Sequence, residues 1–534
     1  MPYIGYAFIL LVCLEVTLVC FNKVNPKVYP YLLYGIGAGM VLMTSLAGPY
    51  LIGSDIHLEY FYAQLRAGGD VLIPNYSISQ GTSIVGYFTD NIWAFKLVYP
   101  LIFSLVPPIL YLVFRRFIDG KQAFLASFFF ITFPTFFMEL PGLARQMIAE
   151  VILVGLIYLL FVSKFKYRWI PIIICGALLP LLHYATGIVV LILVGLGLIL
   201  GKQKKIVGVA IAGILIAGAI YFPLAENGAV YIKLAHLYNG WVSESLPLPK
   251  IPAPEMDLPK YPSPEYAEHP IPLIPQSDIG FMDRHQELVQ SGLGFDFLKT
   301  TTEGRIFRAL QWVLLILMGV GIWKLRKNKE YWIFAAGGII IVLLLAIPGF
   351  SAILNVTRFI HLSLFLLAPL LAVALKPKYL LVVLIPYFLF TSGFVFEATK
   401  QPNIEQIAIP YNVGLSNYRI DLGASITGDD IKVRNYIYEN KLFPVFSDIH
   451  AADLMGERVG WRDDLHVALT RNPTPINIGY VFVRSRNIKD GTFTVWFGIG
   501  RKKQVDPREH YGIDWDKNII YQSGNARVIK MGSE

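Results

Sequence analysis

The sequence predicts a mainly α polytopic membrane protein of about twelve transmembrane helices, with a small extracytoplasmic α/β or mainly β domain at its C-terminal end. Three observations predict this. The 534 residues are 55% hydrophobic and only 16% charged, with a mean hydropathy of +0.54, a balance far from that of a soluble domain. Apolar runs long enough to cross a bilayer recur through residues 1–396. Lys and Arg gather in every other connection between those runs, as they do in cytoplasmic loops.

In chain order the expected spans are 3–22, 30–48, 95–114, 122–138, 144–163, 169–183, 185–200, 206–224, 306–323, 331–347, 359–375 and 379–396. The first lacks the basic n-region and small-residue cleavage site of a signal peptide, so it reads as a retained span. Pro171 and Pro180 interrupt the sixth, and the 169–200 region also fits one re-entrant pair without changing parity. The basic connections carry Lys23 and Lys27; Arg115, Arg116 and Lys121; Lys164, Lys166 and Arg168; Lys202, Lys204 and Lys205; Lys324, Arg326, Lys327 and Lys329; and Lys376 and Lys378. They place the N-terminus, the 49–94 loop, the 225–305 loop and the 397–534 domain on the outer side of the cell membrane.

The same count locates the formal net charge of +9 in short loops, so it orients spans and does not point to nucleic acid. Cys13, Cys20 and Cys175 all fall in apolar runs, which argues against a disulfide framework or a cysteine metal site. Residues 246–275, LPLPKIPAPEMDLPKYPSPEYAEHPIPLIP, are too proline-rich for helix or central strand, and form either a spacer or a lid. Beyond about residue 400, ITGDDIKVRNYIYENK predicts a helix, and KLFPVFSDI, GYVFVRSRN, GTFTVWFGI and NARVIKM predict strands.

The candidate site lies in the polar residues of the outer side. In GSDIHLEYFYAQLRAGG, Ser54 is suited to an N-cap, and a helix running from Asp55 to just before Gly68 puts Asp55, Glu59, Tyr62 and Arg66 on one face. Asp55, His57 and Glu59 cannot all share a face at that spacing. An amphipathic surface helix explains the same pattern without any chemistry. Company at the same depth argues for more: Arg145, Gln146 and Glu150 begin the fifth span, His183 and Tyr184 follow the sixth, and Arg358 and His361 begin the eleventh. A local Arg145–Glu150 salt bridge is the plain structural alternative. The carboxylates Asp55 and Glu59, with His57 beside them, suit a general base, acceptor contacts or a divalent cation such as Mg or Mn, while Arg and His suit an anion. Lipid-linked phosphate is the anion expected at that depth. No GxxxxGK[ST], HExxH, GxSxG or paired CxxC is present.

The stretches GSDIHLEYFYA, WAFKLVYPLIFSLVP, FFMELPGLARQMIAE and LLHYATG resemble an archaeal family of polytopic membrane proteins grouped with the GT-C glycosyltransferase superfamily. That superfamily includes protein O-mannosyltransferases, aminoarabinose transferases and oligosaccharyltransferases. The likeness covers residues 50–190, more loosely TRFIHLSL and the tail. It implies a membrane glycosyltransferase taking a sugar from a polyprenyl- or dolichyl-phosphate donor, on the outer face, to a glycan, protein or lipid acceptor. On this sequence it implies Asp55 as the acid that deprotonates the acceptor, with Glu59 a poorer match, and Arg145, His183, Tyr184, Arg358 and His361 as lipid-phosphate contacts. The acidic loop here follows the second expected span, where the superfamily plan has it after the first. An O-antigen-ligase-like or polymerase-like enzyme, which needs Arg and His but no first-loop Asp, and a transporter or flippase of lipid-linked substrates remain the alternatives. Clustering of the charges at one interface and the lack of an internal repeat count against transport.

Overall fold

The computed structural model describes residues 2–53, 55–67, 91–183, 301–344, 356–399, 426–459, 466–469, 479–496 and 502–532, and the isolated positions 186–187, 208, 211–213, 215, 294, 297–299, 414–415 and 476. Among them, six helices are long and apolar enough to cross a membrane: Tyr3–Cys20, Pro26–Ser45, Ala94–Phe114, Ala144–Phe161, Thr302–Leu325 and Val356–Ala374. The chain is a membrane protein of apolar helices. Large apolar side chains such as Leu10, Leu11, Leu14 and Ile316 are exposed on these helices, as suits helices that cross a membrane.

The expected 122–138 span is broken. Gly120–Ile131 and Thr135–Gly142 meet at 53°, with Pro134 at the break, because proline cannot donate to the helix ladder. The region 379–396 becomes Pro377–Thr391 and a separate Phe394–Ala398 turn entered through Gly393 at φ 80°. The expected 331–347 span is a 16-residue helix, Lys329–Leu344. Apart from the isolated positions given above, the expected spans 185–200 and 206–224 lie outside the described residues, as do the proline-rich stretch 246–275, the candidate Tyr184 and Ser54.

Val356–Ala374 is the most buried of the six and packs on Thr302–Leu325, Lys329–Leu344 and Gly120–Ile131. At its crossing with Thr302–Leu325, a Cβ on Gly321 would collide with the Leu370 carbonyl, so only glycine allows that approach. Among the described residues, the basic connections lie at one end of the bundle. There Arg116 pairs with Glu330 at 3.1 Å, and Lys324 Nζ donates to the carbonyls of Val373 (3.1 Å) and Ala374 (2.9 Å), which end the Val356–Ala374 helix.

The C-terminal residues sit at the opposite end. A five-stranded sheet has the order β2-β1-β3-β7-β6, built from β1 (Val445–Ser447), β2 (His466–Ala468), β3 (Gly479–Val483), β6 (Ile519–Ser523) and β7 (Ala526–Met531). β1 runs parallel to β2 and β3, while β7 is antiparallel to β3 and β6. β4 (Phe493–Trp496) and β5 (Lys502–Val505) form a separate antiparallel pair. Thr427 and Asp430 close a capping box at the start of the Gly428–Glu439 helix, which packs on β6 and β7. Two segments read as extended differ: the SRN of GYVFVRSRN begins the Ser485–Asp490 helix, and the residues after β1 form Ile449–Val459. That last helix packs against Asp55–Ala67, and Tyr50 packs into the same C-terminal core, so this unit rests on the loop that carries Asp55.

Candidate functional site

The site is assembled by two tight turns. After the second span, residues 48–50 are held by Lys96, a fully buried lysine whose Nζ donates to the carbonyls of Gly48 (2.5 Å) and Tyr50 (2.7 Å). Ser45 Oγ in turn donates to the Lys96 carbonyl at 2.9 Å. The chain then reaches Gly53 at φ 135°, stacked on Gly142. A Cβ at Gly53 would lie 2.7 Å from the Gly142 Cα, so the two backbones touch only because neither carries a side chain. GSDIHLEY and LPGLARQ therefore meet at their glycines, and each launches a helix beside the other.

Asp55 opens its helix at the dipole-favoured end, and Ile56, His57, Glu59, Tyr62 and Ala63 are buried. Asp55 and Glu59, one turn apart, flank the same guanidinium. Arg145 Nε donates to Glu59 Oε1 at 2.6 Å, and Arg145 Nη2 reaches Asp55 Oδ2 at 3.5 Å. The Arg145 backbone N–H adds a longer bond to Glu59 Oε1 at 3.4 Å. The exposures differ: the Asp55 side chain is 38% open and that of Glu59 is 2% open. Burial pushes Glu59 up to about 7, against the pull of the Arg145 charge and hydrogen bonds, with Asp55 adding to the rise. Its second oxygen, Oε2, is buried without a hydrogen-bond partner. His57 lies buried on another face of the same helix.

Beside this pair stand the other basic residues. The Arg145 and Arg358 charges both reach His183. The Thr186 backbone N–H donates to His183 Nδ1 at 3.2 Å, which makes Nδ1 the acceptor and leaves the ring proton on Nε2. Arg358 faces Glu139 at 3.6 Å. His361 lies deeper: its Nε2 is 3.0 Å from Glu150 Oε2, both side chains are fully buried, and Phe130 covers the ring at 4.5 Å. Gln146 Nε2 donates to the other Glu150 oxygen at 3.1 Å. The local Arg145–Glu150 bridge is thus replaced by two longer-range pairs, Arg145 with Glu59 and Glu150 with His361. No family model matches this chain. No curated protein matches it either.

The structure brings Asp55, Glu59 and Arg145 into contact, sets His183 and Arg358 in the same field, and puts His361 beneath them. Two residues escaped the sequence reading, Lys96 and Glu139. The signal was present in WAFKLVY and FFMELPG, each a single ionisable residue inside an apolar run. A divalent cation does not fit the pair Asp55 and Glu59 as they stand. A guanidinium already fills the space between them, and no group of three or more His, Cys, Asp or Glu among the described residues is arranged to hold a metal. Chemically, the arrangement offers an accessible carboxylate next to guanidinium groups suited to a phosphate oxyanion.

Proposed function

We propose that this chain is a glycosyltransferase of the GT-C kind, moving a sugar from a polyprenyl- or dolichyl-phosphate donor to a glycan, protein or lipid acceptor. The observation that carries the reading is the Asp55–Arg145–Glu59 contact, which sets an open carboxylate beside the basic groups Arg145, His183 and Arg358. Asp55 takes the proton of the acceptor hydroxyl or amide as the acceptor heteroatom bonds to the anomeric carbon. The bond from that carbon to the phosphate oxygen breaks, its electron pair leaves with the lipid phosphate, and Arg358 and Arg145 balance the charge. His361, fully buried against Glu150 and Phe130, is given no contact with the donor in this reading. The basic connections lie at the other end of the bundle, and the positive-inside rule supports an outward-facing site and C-terminal domain.

The test is sugar transfer from a labelled polyprenyl-phosphate donor by the purified chain. Asp55→Asn, nearly isosteric, should lower the rate by about 10² to 10⁴ while the protein stays folded. Transfer at the wild-type rate would sink the mechanism and favour the ligase-like reading, which depends on Arg145, His183 or Arg358 instead. The fully buried Glu150–His361 pair favours transport. Movement of a lipid-linked sugar across vesicles without transfer would establish that alternative.

A further inference from the structure

Glu139 belongs to none of the roles assigned above, yet it is fixed from two sides. It ends the π-helical turn Thr135–Glu139, immediately before the Leu140–Gly142 turn that leads to Arg145. Its Oε1 accepts from Thr135 Oγ1 at 3.2 Å, and its Oε2 accepts from Thr357 Oγ1 at 3.0 Å. The two threonines come from different elements, so neither the turn nor the Val356–Ala374 helix can shift without disturbing the carboxylate. Oε2 also faces Arg358 Nε at 3.6 Å, an ion-pair distance longer than a hydrogen bond. Arg358 Nε is buried and makes no hydrogen bond, and the side chain is 23% exposed. Such a contact orients the guanidinium by charge at its Nε edge and leaves the fork of terminal nitrogens for another anion.

We propose that Glu139 is a positioning residue of the donor-phosphate subsite, holding Arg358 from its Nε edge so that the terminal nitrogens meet the phosphate of the lipid-linked sugar. The proposal rests on the glycosyl-transfer reading. It makes a prediction whose sign separates it from a bystander role. A carboxylate that merely sits near an anion site repels the phosphate, and neutralising it tightens binding. A carboxylate that aims the arginine does the opposite, and neutralising it weakens binding.

The experiment measures binding of a polyprenyl-phosphate sugar, a phosphodiester of fixed charge near neutral pH, to the full chain in nanodiscs, alongside KM and kcat. Glu139→Gln should weaken binding by about 3- to 30-fold, inside the range of coupling between contacting residues. KM for the donor should rise with it, and kcat/KM should fall at least as far, because Arg358 also meets the charge on the leaving phosphate. In an Arg358→Ala background, the same substitution should have no further effect. Glu139→Asp, which keeps the charge, should recover part of the loss. Should Glu139→Gln fail to fold, Thr357→Val, which removes one anchor and leaves the charge, should weaken binding in the same direction. Unchanged or tighter binding, or an equal loss with and without Arg358, overturns the proposal alone. A wild-type chain that binds no phosphodiester overturns the glycosyl-transfer reading beneath it.

Discussion

Glu59 Oε1 lies 2.6 Å from Arg145 Nε, although 86 residues separate the two in sequence. One guanidinium thereby joins the helix after the second span to the helix that begins at Ala144, and two carboxylates share it. A single positive charge cannot neutralise both Asp55 and Glu59. Burial disfavours the charged form of Glu59, so that carboxyl, pushed up to about 7, is the one that more readily takes a proton.

Stability should record that imbalance. Glu59 is raised from its ordinary value to about 7 in the folded chain, so its contribution is fully present below about 4.5 and is lost as pH rises through about 7. Glu59→Gln, which keeps an acceptor for Arg145, should flatten the fall in thermal stability between those limits. The wild-type difference is on the order of a few kcal/mol. Identical pH profiles for the two proteins would show that Glu59 does not titrate in that window.

A guanidinium between two carboxylates also bears on metal dependence. Arg145 occupies the position from which a cation would bridge Asp55 and Glu59, so EDTA should change donor binding by less than about twofold, and Mn²⁺ titrated calorimetrically should show no saturable site. Arg145→Ala would free both carboxylates. Loss of binding on chelation, restored by Mg²⁺ or Mn²⁺, would contradict the fit described here.

Much of this was legible before any coordinates. The limits of the Asp55–Ala67 helix follow from an acidic first turn and a glycine pair, and Gly428–Glu439 follows from its capping residues. Pairing was not legible, because Arg145 and Glu150 are close in sequence, whereas their true partners, Glu59 and His361, come from other helices. The break at Pro134 was missed because the hydropathy of 122–138 is uninterrupted and only geometry bends it. β6 was missed for a different reason: an edge strand whose side chains are mostly exposed lacks an alternating apolar pattern.

Orientation is tested by cysteine accessibility. Asn440 is exposed on the C-terminal unit and Lys327 is exposed at the basic end. In a cysteine-free background, Asn440→Cys should react with an impermeant maleimide in sealed cells, and Lys327→Cys should react only after permeabilisation. The reverse pattern would move the site to the cytoplasmic side.

The C-terminal unit should depend on a buried ion pair. Asp448, just after β1, accepts from Arg484 Nε at 3.0 Å, Arg484 Nη2 at 2.7 Å and Asn487 Nδ2 at 2.8 Å, and both charged side chains are fully buried. Burial alone would raise the Asp448 carboxyl, but the Arg484 charge and these hydrogen bonds outweigh it and hold it below the ordinary range, so its stabilisation is present above that range and is lost as pH falls. Asp448→Asn removes the carboxylate bonded to the buried Arg484 guanidinium and leaves it the more indirect charges of Asp430 and Asp453, at a cost of roughly 3–5 kcal/mol. Replacing both partners with Leu and Met should cost less, because the buried guanidinium is removed together with its bonded carboxylate. Asp448 also accepts from the Ala451 N–H at 2.8 Å, at the start of the helix that packs on Asp55–Ala67. Loss of the pair should therefore loosen the seat of Asp55, and donor turnover should fall in Asp448→Asn more than in the apolar double variant. Equal melting temperatures for wild type and Asp448→Asn would show that the pair carries no such weight.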